Sequence, residues 1–561
     1  MDFKIRDGSN TVSVNVSPEP SQTVLTAAGE LCRYLGIQSG KEISFNVGWP
    51  EKDGVCLGFS KEEFETDEFA FEFRGNSLYI DGGTRGIIYG VYELLEKIGF
   101  RFFTDSCELI PKGEHLSLPV DNVRVKPVFE YRSTYWKGMT PSLAPKLKIN
   151  SILGKSLSEE FGGDIHYQGF VHTLGSLAEM ETENGEYTDR QPCLSDEKVF
   201  ETVVKNVRKR IAQDPKAAIV SVSQNDSHEW GRGCECAACR VVDNAEGTPM
   251  GSLLRFVNRV AGDVGKDHPD VAIDTLAYRY TRKTPASLSS ADNVIIRLCS
   301  IECCFSHPIE ECDRAIYDVN DGSFADALKK WKAHSNRIYI WDYTTNFQNY
   351  HSLFPNFGVL RKNLRFFAEN NVKGVFEQGD AETINGEFGE LRTYLLAKLL
   401  WDPYMSGEEY RRHTEEFIFG YYGEGGKYIL DFLDYMHECA KNVHFGIYYA
   451  DPTELFFDVA TDGGEIEKAE VFLAAGRKAF AKARECANDE ERIRIDRSEI
   501  QLDIYEWFLV LKKSGEDRAS LENFGKMLWN KAVSFGITAM HEGGSGLEKR
   551  TPDYGAFPCY W

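Results

Sequence analysis

The sequence lacks the features of several large protein classes. It contains no run of about 18 uncharged apolar residues, the minimum for a membrane-spanning helix. The residues after Met1 lack the apolar core of a secretion signal, so we expect a cytoplasmic protein. Positive charge is scarce, because 64 Lys and Arg stand against 87 Asp and Glu, a formal net charge of -23. Such a chain repels nucleic acids and anionic membranes, so we expect neither as a partner.

The 14 cysteines lack the paired two-residue spacing of common zinc modules. Most are therefore expected to be reduced and packed, as is usual for cytoplasmic proteins. Two short segments are richer in cysteine, and they contain Cys234, Cys236, Cys239, Cys299 and Cys303. We expect no cofactor, and packed thiols are the simpler interpretation of this set. If a metal is bound, these five residues predict a structural zinc site where the two segments meet.

The order of strand and helix patterns predicts an α/β protein of three parts. Residues 1–125 predict a small amino-terminal α/β domain. Residues 126–403 repeat strand and then helix, and this length fits a (β/α)8 TIM barrel. Residues 404–561 predict a helical domain and a glycine-rich, aromatic tail, which either folds over the site or lies on the surface.

Eight strand-then-helix units support the barrel prediction. The spacing of β-branched and apolar residues marks each strand, and apolar residues at three and four spacing mark the helices between them. The eight strands are predicted at 128–132, 147–153, 169–174, 218–223, 272–278, 293–298, 337–340 and 372–376.

Polar and aromatic residues follow the ends of several predicted strands. In a barrel of parallel strands the functional groups lie just past the carboxyl ends. Aromatic rings stack on sugar faces, carboxylates bind sugar hydroxyls, and two acids act on the glycosidic bond. We therefore expect an oligosaccharide substrate. The residues predicted to bind it are Arg132, Trp136, His172, Asn225, Tyr278, Trp341, Asp342 and Tyr343. The simpler interpretation of each residue is a helix cap, a surface charge or a core aromatic.

Seven motifs of the sequence together resemble a large bacterial family of uncharacterised proteins that includes glycoside hydrolase family 163. They are Thr84-Arg85-Gly86-x-x-Tyr89-Gly90-Val91-Tyr92, Gln191-Pro192-Cys193-Leu194-Ser195-Asp196, Val222-Ser223-Gln224-Asn225-Asp226 with Cys236-x-x-Cys239, Arg297-Leu298-Cys299, Ile340-Trp341-Asp342-Tyr343, Gly374-Val375-Phe376-Glu377-Gln378-Gly379 and Leu399-Leu400-Trp401-Asp402-Pro403. Family 163 members are endo-β-N-acetylglucosaminidases acting on N-glycans. The resemblance, over about residues 75–430, implies a glycoside hydrolase that retains configuration with help from the substrate's acetamide. The first domain is similar to those preceding the barrels of family 20 hexosaminidases and family 67 α-glucuronidases.

Three carboxylic acids are the predicted catalytic residues: Asp226, Glu229 and Glu377. The apolar neighbours of Glu377 predict a raised pKa, which suits a general acid. Asp226 follows Asn225 and is expected to stay ionised, which suits it to orient an acetamide or stabilise positive charge. Glu229 competes with Glu377 as the acid, since related barrels place the acid after the fourth strand. Those relatives often use two adjacent acids there, whereas this sequence has Asn225 in the first position.

Three alternatives remain open at this stage. One is an inverting exo-glycosidase resembling the α-glucuronidases, in which Arg132 or Arg297 would face the sugar carboxylate. Another is a sugar-binding protein without catalysis. The third is a zinc enzyme centred on Cys236 and Cys239. The sequence predicts no particular oligomeric state.

Overall fold

The structure, a computed structural model, describes residues 2–180, 190–226, 233–314, 322–455, 458–514, 518–544 and 546–547. It contains an amino-terminal α/β region, a curled parallel sheet with helices outside it, and a carboxy-terminal helical region. None of the helices in these ranges is long and apolar enough to cross a membrane.

The amino-terminal region consists of three small sheets and two helices. Alternation in Phe69–Arg74 buries Phe69 and Phe71 and leaves Glu72 outside, so that one sheet face packs on the helices. Helix Gln22–Ser39 begins at Ser21, whose hydroxyl accepts from the Val24 amide, and helix Gly86–Lys97 lies beside it. The six-stranded sheet has the order Val123–Val125, Phe69–Arg74, Ser77–Gly82, Gly54–Leu57, Ser13–Val16 and Phe45–Val47. The other strands are His115–Pro119, Asp2–Asp7 and Asn10–Thr11 in one sheet and Arg101–Thr104 with Cys107–Leu109 in a hairpin.

The central sheet has seven strands, all parallel. The strand that comes first in the chain pairs with the strand that comes last, so the sheet curls around an inner face. In spatial order the strands are Tyr131–Tyr135, Val372–Gln378, Ile338–Tyr343, Val294–Cys299, Ala272–Ala277, Ile219–Ser221 and Tyr167–Gln168. The helices of this region are Leu174–Leu177, Glu197–Gln213, Ala237–Glu246, Met250–Val264, Phe324–His334, Phe357–Glu369 and Gly389–Trp401.

The predicted second strand, residues 147–153, is not a strand, and this prediction was wrong. The side chain of Asn150 takes the place of a strand backbone: its Oδ1 accepts from the Arg132 amide at 2.9 Å, and its Nδ2 donates to the Glu130 carbonyl at 2.8 Å. The Asn150 carbonyl accepts from the Ile165 amide at 3.2 Å on the other side. Asn150 thus lies between the two edges of the curled sheet. The predicted third strand, residues 169–174, was also wrong, because the strand at this position is Tyr167–Gln168 and ends before residue 169.

Aromatic rings and one buried ion pair fill the inner face of the sheet. Tyr131, Phe170 and Phe376 belong to one buried cluster. Arg297 donates to Asp274 at 2.7 Å, and its guanidinium carbon lies 4.1 Å from the centre of the Phe170 ring. Both charged side chains are buried, so their pairing offsets the loss of hydration. The Arg297 side chain is therefore held in the core and does not reach the end of the sheet.

The described part of the carboxy-terminal region contains six α-helices and then returns to the sheet. After the last helix, the Met540 carbonyl accepts from the Tyr350 amide at 2.8 Å, and the Glu542 amide donates to the Phe347 carbonyl at 3.0 Å. These bonds place Glu542 at the end of the sheet. The helices are Gly407–Tyr422, Gly426–Ala440, Glu465–Glu485, Asp489–Ser498, Ile500–Ser514 and Arg518–Ser534.

Candidate active site

A cavity of about 330 Å³ opens at the carboxyl ends of the parallel strands. Two strand ends contribute neighbouring pairs of residues, Trp341 and Tyr343 from one strand and Phe376 and Gln378 from the next. Aromatic rings cover much of its wall, namely Tyr135, Tyr278, Trp341, Tyr343, Phe376 and Tyr448. The polar residues of the wall are His172, Asp226, Arg279, Gln378 and Glu542. The cavity therefore combines flat apolar surfaces with two carboxyl groups.

The structure brings several of the predicted site residues to this cavity, and these are Asp226, His172, Tyr278, Trp341 and Tyr343. It places Arg132, Trp136, Asp342 and Glu377 elsewhere. Asn225 lies directly behind the wall. Glu229 is outside the residues that the structure describes.

Asn225 holds the chain in position just before Asp226. Its Oδ1 accepts from the Gly175 amide at 2.7 Å, and its Nδ2 donates to the Arg190 carbonyl at 2.8 Å. Its own amide donates to the side chain of Gln191 at 3.1 Å. A Cβ atom at Gly175 would lie 2.9 Å from Nδ2 of Asn225, so a larger residue there would displace the Asn225 side chain. Asn225 is thus buried and connects helix Leu174–Leu177 to the loop that contains Arg190 and Gln191, which leaves Asp226 to face the cavity.

His172 and Arg279 line the cavity with strained backbones. Both have a φ of 52°, in the left-handed region that is unfavourable for residues with a Cβ atom. Strain of this kind concentrates at functional sites. The His172 Nδ1 donates to the Gln224 carbonyl at 2.8 Å, and burial lowers the pKa of its imidazole. The ring is therefore neutral at pH 7, and its Nε2 is left as a hydrogen-bond acceptor.

Glu542 is a site residue that sequence reasoning did not identify. Burial raises the pKa of its carboxyl group, and the nearby carboxylates of Glu382 and Asp226 raise it further. Gln378 Nε2 donates to Glu542 Oε1 at 3.1 Å, while Gln378 Oε1 accepts from Trp341 Nε1 at 2.8 Å. The amide of Gln378 thus fixes both a carboxyl group and an indole ring. The only signal in the sequence was the glycine-rich tail, which was expected either to fold over the site or to lie on the surface.

Asp342 and Glu377 lie on the other face of the sheet. They are directly paired in neighbouring strands, whereas the residues beside them, Trp341 and Phe376, line the cavity. Side chains alternate between faces along a strand, so both carboxyl groups point toward the surrounding helices. Burial raises the pKa of Asp342 to about 6, and burial together with Asp342 raises that of Glu377 well above its ordinary value. The structure thus separates both residues from Asp226, contrary to the prediction that Asp342 binds substrate and Glu377 acts with Asp226 in catalysis.

Arg132 joins two regions of the chain, and Trp136 packs within the central one. Arg132 is buried and donates to Asp67 of the amino-terminal region at 2.9 Å, and also to the carbonyls of Phe129 and Lys148. Trp136 donates through its Nε1 to Thr344 Oγ1 at 3.0 Å. Neither side chain reaches the cavity. Arg132 and Arg297 are therefore both unavailable to a sugar carboxylate there.

The cysteines form a different cluster from the predicted one. Cys193, Cys234, Cys236 and Cys239 have sulfur atoms that lie within 4.8 Å of one another. A hydrogen bond from the Cys239 amide lowers the pKa of the Cys236 thiol to about 7, which favours the thiolate form that binds metals. Four thiols in this arrangement could hold a structural zinc ion.

Cys299 and Cys303, by contrast, lie outside this cluster. Cys299 lines the floor of the cavity, and Cys303 is buried. The expected meeting of the two cysteine-rich segments was therefore wrong. The fourth thiol comes instead from Cys193, which lies in the loop before helix Glu197–Gln213.

Solved structures that resemble the chain are glycoside hydrolases. A family 89 glycoside hydrolase from Clostridium perfringens, in complex with PUGNAc, has a TM-score of 0.51 and 11% identity, over 91% of this chain and 65% of that enzyme. A Streptomyces plicatus N-acetyl-β-hexosaminidase has a TM-score of 0.45 and 11% identity over 74% of this chain and 90% of its own. A family 138 enzyme targeting pectin rhamnogalacturonan II has a TM-score of 0.43 and 12% identity, over 93% of this chain and 73% of that enzyme.

The likeness to the family 89 enzyme shows a shared fold, and this chain spans less than two thirds of that enzyme's length. That likeness does not single out family 163. No curated protein sequence matches the chain. A family model described as a domain of unknown function, DUF4838, matches residues 102–434, which is more than half of the sequence. This match covers the curled sheet and its helices, and the chain therefore belongs to the DUF4838 family.

Proposed function

We propose that the chain is a glycoside hydrolase and that the cavity at the strand ends is its active site. The observation that carries this proposal is the pair of carboxyl groups, Asp226 and Glu542, in a cavity lined by aromatic rings. Two acids acting on one glycosidic bond are the common requirement of such enzymes. The rings supply flat surfaces against which sugars stack.

The two acids differ in their surroundings, and this difference assigns their roles. The pKa of Glu542 is raised, which favours the protonated form that a general acid needs, so we assign Glu542 as the general acid that protonates the departing oxygen. Asp226 carries the negative charge that helps to raise the pKa of Glu542. It therefore acts on the anomeric side, where it stabilises positive charge in the transition state.

The finer proposal is retaining cleavage of N-acetylated oligosaccharides. The acetamide oxygen of the substrate attacks the anomeric carbon while Glu542 protonates the leaving group, and Asp226 accepts a hydrogen bond from the acetamide N–H. Water then opens the cyclic intermediate, and Glu542 takes up a proton again. Supporting this choice, the family 89 relative was also solved with 2-acetamido-1,2-dideoxynojirmycin. We also propose that the curled sheet is a (β/α)8 barrel in which residues 147–153 occupy the second position.

A screen of aryl glycosides with the purified protein tests the proposal. Release of the phenol from β-N-acetylglucosaminide identifies the sugar and the anomer together. Proton NMR of the first product then distinguishes retention from inversion. If the protein turns over no glycoside in the screen but binds sugar measurably, the result would instead indicate a sugar-binding protein without catalysis.

One observation favours a second candidate, an exo-glycosidase for acidic sugars. Arg279 lines the cavity, and its guanidinium carbon lies 5.0 Å from the centre of the Tyr278 ring. A guanidinium group in this position could bind the carboxylate of a uronic acid. Aryl glucuronides therefore belong in the same screen. Turnover of a glucuronide that is lost in Arg279→Gln, with the N-acetylglucosaminide unused, would establish this candidate.

A further inference from the structure

A second cluster of cysteine and histidine side chains lies away from the candidate active site. Cys304, His307 and Cys312 belong to the loop that follows strand Val294–Cys299, and His444 belongs to the segment after helix Gly426–Ala440. One ligand atom of each residue lies within 4.8 Å of those of the other three. Segments more than 130 positions apart in the chain thus present four metal-binding side chains to one point.

The distances within this cluster fit a single tetrahedral ion. Cys304 Sγ lies 3.3 Å from His307 Nδ1, and Cys312 Sγ lies 3.7 Å from His444 Nδ1. With zinc bonds of about 2.3 Å to sulfur and about 2.0 Å to nitrogen, tetrahedral ligands lie roughly 3.5 Å apart. We propose that Cys304, His307, Cys312 and His444 bind one structural zinc ion.

Neighbouring groups already hold the ligands in the orientation that zinc requires. His307 donates from Nε2 to the Lys441 carbonyl at 2.8 Å, so its Nδ1 faces the cluster without a proton. A metal-bound histidine usually makes this bond with its second ring nitrogen. The His307 and His444 rings lie 4.3 Å apart between centres, which directs both imidazoles to one place. Ser306 adds a bond from its hydroxyl to the Val443 carbonyl.

The ligand set also balances the charge of the ion. Two thiolates neutralise Zn²⁺, and the two imidazoles bind as neutral groups. The resulting site carries no net charge, which suits a partly buried position. Soft thiolate and imidazole ligands select zinc over magnesium or calcium.

The ion would link the carboxy-terminal helical region to the loop after strand Val294–Cys299, beside one wall of the cavity. Beside the cluster, the Phe305 amide donates to the Phe445 carbonyl at 3.0 Å. Four residues after His444, Tyr448 lines the cavity, and its ring lies 6.2 Å from that of Phe347. Loss of zinc should therefore loosen the wall that contains Tyr448 without removing any group that touches the substrate. This last consequence rests on the proposed hydrolase function, whereas the metal site does not.

Metal analysis of the full chain, purified without an affinity tag of histidines, tests the site directly. We expect Cys312→Ser and His444→Gln each to contain about one zinc ion fewer per chain than the parent protein. Cys486→Ser is the matched control, because Cys486 is exposed, and it should keep the parental content. The difference from the parent is the readout, since the four-cysteine cluster near Asp226 could bind zinc of its own. Equal zinc in the parent and both variants overturns the proposal.

Alkylation of the parent protein tests the same site where the variants fail to fold. Peptide mapping after iodoacetamide treatment reports each cysteine separately. We expect Cys304 and Cys312 to be protected until a zinc chelator is added, and to react quickly afterwards. Equal alkylation with and without the chelator, or a disulfide between the two, overturns the proposal. A failed glycoside screen with this protection intact would count against the proposed hydrolase only.

Discussion

Gln378 joins the last strand of the curled sheet to the carboxy-terminal segment through a 3.1 Å hydrogen bond from its Nε2 to Oε1 of Glu542. The two residues are 164 positions apart. The same Gln378 side chain accepts from Trp341, so one amide aligns a carboxyl group with an aromatic ring at the mouth of the sheet. Loss of either contact should affect catalysis more than folding.

Glu542→Gln should lower kcat by about 10²- to 10⁴-fold, because the amide N–H is too weakly acidic to be transferred to the leaving oxygen. The loss should shrink for aryl glycosides with good leaving groups, which need little protonation. Steady-state kinetics on a series of aryl leaving groups measures this. Glu424→Gln, a change at an exposed position between two helices, is the control. An equal loss across the whole series would contradict the role of Glu542 as acid.

The alkaline limb of the pH–rate profile should move when Asp226 is replaced. A general acid must be protonated, so the rate falls as pH rises through its pKa. The negative charge of Asp226 helps to raise the pKa of Glu542, and Asp226→Asn removes that charge. The alkaline limb of the residual activity should therefore shift to lower pH. An unchanged limb would show that the two carboxyl groups do not interact.

Trp341→Ala should raise KM about tenfold, because a sugar loses the ring on which it stacks. Trp341→Phe keeps an aromatic surface and loses only the hydrogen bond to Gln378, so its effect on KM should be smaller. Trp49→Ala serves as the control, since Trp49 is exposed on the amino-terminal region. The idea fails if Trp341→Ala binds substrate as well as the parent does.

Glu377→Gln should keep its turnover and change how stability depends on pH. The pKa values of Glu377 and Asp342 are both raised in the folded protein, so the folded state binds protons more tightly than the unfolded state. The free energy of unfolding therefore falls as pH rises above the pKa values that the two carboxyl groups have in the unfolded chain. The fall continues through the pKa of Asp342 in the folded protein, about 6, and through the raised pKa of Glu377. Thermal unfolding at pH 5 and pH 8 should show a smaller drop for Glu377→Gln than for the parent. A large loss of kcat in this variant would restore Glu377 as a catalytic candidate.

Arg132→Met should destabilise the fold by about 1–3 kcal/mol, because the buried Asp67 keeps Arg85 but loses its second cation, and the carbonyls of Phe129 and Lys148 lose their donor. The KM of the protein that remains folded should not change, since Arg132 does not reach the cavity. Chemical denaturation measures the first effect, and kinetics at low temperature measure the second. A raised KM with unchanged stability would return Arg132 to the substrate-binding residues.

The sequence by itself determined most of the local structure. Helix Glu197–Gln213 follows from its own sequence, because Asp196 caps its start and its apolar residues repeat at helical spacing. The strand that ends before Asp226 was also predictable, and so was a group of site residues at the strand ends. These features depend on neighbouring residues, so they can be read from short stretches of sequence.

Only the tertiary structure determines which carboxylic acids lie together in the cavity. Parallel strands are apolar on both faces, so the pattern around Glu377 does not tell the inner face from the outer one. The pairing of Asp342 with Glu377 and the alternation along the strands turn both acids outward. Glu542 reaches the cavity through long-range hydrogen bonds that no local pattern encodes. The same holds for His444, which meets Cys312 only because the helical region folds back onto the sheet.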